Sequence, residues 1–394
     1  MRQLALSILL LLLSFAFLAA EPAQMLGLQT ARSIGLPLTM AALALLAVLS
    51  RPTVPASHQP MPLLLLALLG VIAGRELAFG LDPMGYKIAL PVLALLLAPR
   101  VALLLDGADV ARAVRAVLAV YVSLTALALA WWGSGDLVRG HEGVERWDIT
   151  GSVVTHASLC VVYLVLAAST LLGRPRPHEA LAAALAGPAA LAMTFLSGTR
   201  TSLVTLALFM ALSLLAGGRR LGVMLGMAGG LAVALVLHTL LVSDSFAQRL
   251  EGGAGDYSSG RSHSLSVWLD QLAEAPLGIG LGGVRAALAV ERPAIDGERL
   301  LEWPHNEVVR LTVEAGPLGL VLVVGLIVCT VRLAMQGAAA TVDPLRRDLL
   351  LVLAADVIAE SLLQNFFNGI YQATAYLLLI GILATPLTAR PRPG

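Results

Sequence analysis

The sequence predicts an all-α polytopic membrane protein of about twelve transmembrane helices, with one large loop containing short helices on the external, periplasmic side. Three observations predict it. Of the 394 residues, 58% are hydrophobic and 13% charged, with a mean hydropathy of +0.85, whereas soluble globular chains average about 45–50% apolar and 25% charged residues. Apolar runs close to the roughly 20 residues that cross a bilayer recur along the chain. The longest polar interruption, 244–306, ends in Trp303-Pro304-His305-Asn306 and is followed at once by another apolar run.

Taken in order, the runs place spans at about 3–20, 33–50, 61–80, 87–105, 112–132, 151–172, 180–196, 202–217, 221–243, 307–332, 348–365 and 370–388. The chain thus divides into nine spans over 1–243, a loop carrying candidate catalytic elements over 244–306, and three spans with a polar tail over 307–394. Arg2, Arg51, Arg100, Arg112, Arg115, Arg174, Arg176, Arg219, Arg220, Arg346, Arg347, Arg390 and Arg392 fall in or beside alternate loops, which the positive-inside rule makes cytoplasmic. Both termini are then cytoplasmic. The 133–150 segment, the turn holding Arg200 and the 244–306 loop face the other side.

Several function classes drop out. The net charge is +1 and the basic residues are dispersed, so no nucleic-acid partner is expected. Lys87 is the sole lysine and stands outside any Gly-x-x-x-x-Gly-Lys-Ser/Thr pattern, which removes a phosphate-binding P-loop. Cys160 and Cys329 sit inside apolar runs as small hydrophobes. Zinc-ligand spacings, Asp-x-Asp pairs and Gly-x-Ser-x-Gly are missing, so the expectation is no metal and no cofactor.

The polar residues that remain suggest chemistry at one membrane face. From Arg261, Leu265, Trp268, Leu269 and Leu272 recur at helical spacing, Ser262 or Ser264 can cap, and Pro276 stops the helix. A short amphipathic helix lying on or against the membrane is expected there. Gly278-Ile279-Gly280-Leu281-Gly282-Gly283 has no preceding strand, and reads as a tight turn that brings backbone close to a partner rather than as a nucleotide fingerprint. Arg200, in Ser197-Gly198-Thr199-Arg200-Thr201-Ser202, stands at a hydrocarbon boundary, where an arginine either finds an anion or snorkels to the interface. His305 is either a hydrogen-bonded structural group or a proton acceptor for a hydroxyl. Arg310 and Glu314, four apart, read as an internal ion pair. Asp356, Glu360 and Gln364 share a helix face, with Asn368 close to continuing it, and either line a polar cavity or bond neighbouring helices. Two or more arginines with one histidine suit a diphosphate and a nucleophilic hydroxyl, because guanidinium grips phosphate oxygens bidentately.

At these residues the sequence resembles the O-antigen ligase and O-antigen polymerase superfamily of bacterial envelope enzymes. His305-Asn306, nine residues, then Gly316-Pro317-Leu318-Gly319 matches its His-Asn-x9-Gly-x-x-Gly signature. Gly260-Arg261 with Trp268 and Pro276-Leu277-Gly278-Ile279-Gly280 matches the preceding loop segment, and Gly198-Thr199-Arg200-Thr201-Ser202 the upstream arginine turn. The resemblance covers roughly 195–325; before that, the chain is similar in hydropathy alone. It implies an inner-membrane glycosyltransferase that moves a glycan from undecaprenyl diphosphate, without metal or nucleotide, to the lipid A core sugar in a ligase or to another lipid-linked unit in a polymerase. It further implies that Arg200 and Arg261 hold the donor diphosphate, that His305 deprotonates the acceptor hydroxyl, and that Asn306, Trp268 and Arg310 support them. Arg139, Arg146 and His141 are secondary candidates for acceptor contact. Ligase is favoured because polymerases often display two substantial arginine-bearing external loops, and here one loop dominates. A protein-glycosylating transferase of the same superfamily and, in a different class, a lipid-linked sugar flippase or transporter are the alternatives.

Overall fold

The structure, a computed structural model, describes residues 1–18, 29–49, 66, 69–70, 72–74, 83–132, 138–141, 144–147, 153–173, 175–197, 199–216, 261–290, 294–295, 298–299 and 304–385. In chain order these form α1 (Arg2–Leu13, continued by a π-turn, Ser14–Leu18), α2 (Gln29–Leu49), α3 (Pro83–Ala102) and α4 (Gly107–Trp132). A ribbon of β1 (Val138–His141) and β2 (Val144–Trp147) precedes α5 (Val153–Leu171), α6 (Pro177–Leu196) and α7 (Arg200–Leu215). Then come α8 (Arg261–Glu274), α9 (Gly283–Val290) and a minimal ribbon, β3 (Ala294–Ile295) with β4 (Glu298–Arg299). Finally α10 (Glu307–Ala340) and α11 (Pro344–Leu363) lead through a 3-10 turn, Phe366–Asn368, into α12 (Ile370–Ala384).

The expected spans fall on these helices, apart from two. The third is described at isolated positions between Leu66 and Gly74, and the ninth, 221–243, lies outside the described residues. Gly107–Leu127, Val154–Leu171 and Glu307–Ala340 are long and apolar enough to cross a membrane, while Arg2–Leu18, Ile34–Leu49, Thr201–Leu215 and Ile370–Ala384 are shorter apolar helices. Prolines lie inside several: Pro37 in α2, Pro91 and Pro99 in α3, and Pro188 in α6. Membrane helices accommodate them because neighbouring helices and hydroxyls re-satisfy the freed backbone groups.

The core is centred on α12, where every residue from Gln372 to Ala384 is buried, and on α11, buried from Asp348 to Val357. A helix apolar on all sides belongs inside a bundle, and α12 packs against α3, α10 and α11.

Arginines gather at one end of the bundle. Arg2 pairs with Asp106 and Asp109, Arg112 with Asp109, and Arg115 with Glu179 while donating to Thr170 Oγ1 at 3.1 Å. The Arg346 side chain lies against Gly107 and donates from Nε to the Leu383 carbonyl at 2.9 Å, and Arg347 donates to the Ala216 carbonyl at 2.7 Å. Those carbonyls terminate α12 and α7, where a helix leaves its acceptors unpaired and favours cations. These are residues that the loop-charge pattern assigns to one side. The first turns of α7, α10 and α12 lie at the other end.

Candidate active site

The site is built around the start of α10. Asn306 caps this helix, its Oδ1 accepting from the amides of Val308 (3.0 Å) and Val309 (3.1 Å). His305, half-buried and immediately before the cap, has φ of +43°, the one non-glycine residue with positive φ among those described. Histidine tolerates this region better than most residues, yet such a conformation persists because its surroundings enforce it, and it marks a position where function is to be sought.

The nine residues of the signature after Asn306 form a short helix of about 13 Å. It ends at Gly316, whose φ of 65° and ψ of −158° break α10, and Pro317 opens the longer second part. Pro317 has no N–H to offer the Val313 carbonyl and the break removes the next partner too. The glycine-rich turn supplies both: Ile279 N donates to Val313 O, and Gly280 N to Glu314 O, each at 3.0 Å. Gly278, Gly280 and Gly282 all have positive φ, so the turn follows a path that side-chain-bearing residues resist. The sequence reading of this segment as a backbone-approach turn is what the structure contains.

Beneath the turn, Trp268 of α8, Val284 and Leu288 of α9 and Val313 of α10 form a small core separate from that of the bundle. Trp268 is 1% exposed and Leu272 packs against this core, whereas Leu265 and Leu269 are 41% and 51% exposed. A helix forms where the spacing predicts one, with Trp268 as its packing anchor, but Leu265 and Leu269 of the expected apolar face are exposed. The Glu314 carboxyl faces the backbone amides of Gly282 and Val284, near the start of α9.

Arg310 is fully buried and pairs with Glu307, a partner that the sequence reading overlooked in favour of Glu314. The i,i+3 spacing was the available signal. Arg310 Nη1 also donates to Asn368 Oδ1 at 3.2 Å, and the Phe367 amide donates to Glu307 Oε2 at 3.3 Å. Arg310 is thus a support for the His305 helix, removed from solvent. Gln364, the residue that ends α11, donates to Thr201 Oγ1 at 3.2 Å. Deeper, Asp356 accepts from Thr205 (2.7 Å) and Ser158, and Gln372 bridges Ser158 (2.6 Å) to Glu360 (2.8 Å). The polar row of α11 bonds neighbouring helices, the second of its two sequence readings.

Arg200 is the first residue of α7 and Arg261 the first of α8. In the β1–β2 ribbon Arg139 stands opposite Arg146 and His141 opposite Val144. The ribbon packs on α6, the helix leading to the Arg200 turn.

Fold and site together define a helical membrane protein with an asparagine-capped, broken helix preceded by a histidine, and two arginine-initiated helices. Residues 181–324, from α6 to beyond the Gly316 break, match the family model described as O-antigen ligase. Members of that family are membrane-embedded, glycosyltransferase-like enzymes of glycan assembly. No curated protein matches the chain.

Proposed function

We propose that the protein is an O-antigen ligase of the bacterial inner membrane, with cytoplasmic termini and its active site on the periplasmic face. It transfers a glycan from undecaprenyl diphosphate to a sugar hydroxyl of the lipid A core, with inversion and without metal or nucleotide. The observation that carries this reading is His305, held with positive φ against the capped start of α10 within the matched family segment.

In the reaction His305 takes the proton of the acceptor hydroxyl as its oxygen forms a bond to the anomeric carbon. The bond from that carbon to the phosphate oxygen breaks, and the electron pair leaves with undecaprenyl diphosphate. Arg200 and Arg261 bind this diphosphate and stabilise the charge that grows on it, an effect commonly worth about 3–4 kcal/mol per donor. Asn306, committed to its cap, orients His305 through the backbone, while Trp268 and Arg310 hold the two helices that carry the site. Arg139, Arg146 and His141, paired or neighbouring in the β1–β2 ribbon, suit phosphates of the acceptor.

The test is transfer by purified protein in the presence of chelator, using undecaprenyl-diphosphate glycan with lipid A core, for wild type and His305→Ala. Core bearing intact glycan, lost in the variant with donor binding retained, is the expected result. Glycan that lengthens on its own carrier assigns the polymerase activity instead, and full transfer by His305→Ala removes the histidine from the chemistry.

A further inference from the structure

We propose that the turn from Gln364 to Asn368, outside the matched segment, is a positioning bracket that fixes the donor grip at Arg200 relative to the base His305. The inference rests on the roles proposed above for those two residues. Its two ends bond different helices. Gln364 Nε2 donates to Thr201 Oγ1 at 3.2 Å, one residue beyond Arg200. Asn368 Oδ1 accepts from Arg310 Nη1 at 3.2 Å, and the Phe367 amide donates to Glu307 Oε2 at 3.3 Å, two residues beyond His305. The Glu307–Arg310 pair closes the second set.

The groups that the bracket bonds are buried, while Gln364 is half-buried and Asn368 is exposed. Glu307 and Arg310 are 0% exposed and Thr201 is 4% exposed, so slippage would leave a polar or charged group unpaired in an apolar setting. The turn is short and its middle is packed, with Phe366 and Phe367 in edge contact at 5.2 Å between ring centroids and both buried. The first turns of α7 and α10 are thus each hydrogen-bonded to the same few residues. Direct displacement requires the attacking oxygen about 3–3.5 Å from the anomeric carbon and in line with the leaving group, and a misplacement of about 1 Å can lower the rate some 100-fold. A donor gripped by one helix and a base borne by another need such a common support. Gln364 and Asn368 act through those helices.

The experiment measures kcat and donor KM in the ligase assay for Thr201→Val, Asn368→Leu and Asn368→Asp, beside His305→Ala. Thr201→Val removes one end of the bracket with almost no change of shape, and unaltered thermal denaturation shows that its fold is intact. Thr201→Val and Asn368→Leu are each expected to lower kcat about tenfold or more while donor KM stays within about twofold, the signature of binding without alignment. Asn368→Asp retains an oxygen for Arg310 and is expected to return kcat to within about threefold of wild type. Wild-type kcat in Thr201→Val and Asn368→Leu, with His305→Ala inactive, overturns the bracket and leaves the catalytic reading standing. Turnover by His305→Ala overturns both.

Discussion

Gly278 and Gly316 meet backbone to backbone: a β-carbon on Gly278 would stand 2.6 Å from the Gly316 nitrogen, and one on Gly316 would stand 2.8 Å from the Pro276 carbonyl oxygen. Both glycines have positive φ. Alanine at either position therefore meets strain from the conformation and overlap with main chain that cannot rotate away. Each contribution is about 1–3 kcal/mol. Gly278→Ala and Gly316→Ala are each expected to lower stability by about 2–4 kcal/mol, read as a fall in thermal midpoint in detergent, and to lose transfer. Because the two sites share one contact, the double variant should be less destabilised than the sum of the singles.

Trp268 gives a second prediction, directed at the small core over which that contact lies. Trp268 is 1% exposed among Val284, Leu288 and Val313, in a cluster separate from the main one. Trp268→Ala should cost about 3–5 kcal/mol locally, yet leave the bundle intact. Hydrogen exchange should rise in 261–290 and 304–315 while α11 and α12 keep their protection. Equal loss of protection throughout would show that the two cores unfold as one.

Much of this region was legible in the sequence because its signals are local. The stop at Pro276, the helical spacing through Trp268 and the glycine turn each depend on a few adjacent residues. What the sequence withheld depends on the tertiary path. Glu307 is adjacent to the signature histidine and asparagine, but its pairing with Arg310 matters because Asn368 and the Phe367 amide arrive from a turn some 60 residues later. Similarly, the spacing of Asp356, Glu360 and Gln364 predicts a common face, and no pattern within α11 reveals that Thr205, Thr201 and Gln372 meet it. The charge pattern of the loops did predict a shared end for Arg2, Arg112, Arg115, Arg346 and Arg347, because that rule sums over whole segments.

At that arginine-rich end, Glu179 gives a pH-dependent prediction. The Arg176 amide donates to Glu179 Oε2 at 3.0 Å, and Arg115 pairs with Oε1; together they hold the carboxyl below its ordinary range despite partial burial. A lowered value means that the native state favours the ionised form, so the contribution is complete above the unfolded-state value and fades as pH falls through the folded one. Glu179→Gln is expected to lower the thermal midpoint by about 2 °C at pH 7. The gap between variant and wild type should close as the pH falls below the ordinary glutamate value of about 4.3. A gap that persists unchanged at pH 3 would mean that packing of the side chain, and not its charge, joins α6 to α4.

The donor grip can be tested by a substitution that preserves charge. Arg200 opens α7 and Arg261 opens α8, and the first amides of a helix also favour an anion. A diphosphate offers paired oxygens that a planar fork engages by two parallel hydrogen bonds, whereas an ammonium meets them as a point charge. Arg200→Lys and Arg261→Lys should therefore lower kcat/KM by about 10–100-fold each, equivalent to about 1.4–2.7 kcal/mol of transition-state stabilisation. The growth of charge on the leaving phosphate makes the loss fall mainly on kcat, because an interaction that strengthens in the transition state is missed most there. Wild-type rates in both lysine variants would sink bidentate recognition while leaving His305 as the base. A rise in donor KM at constant kcat would instead assign the arginines to ground-state binding.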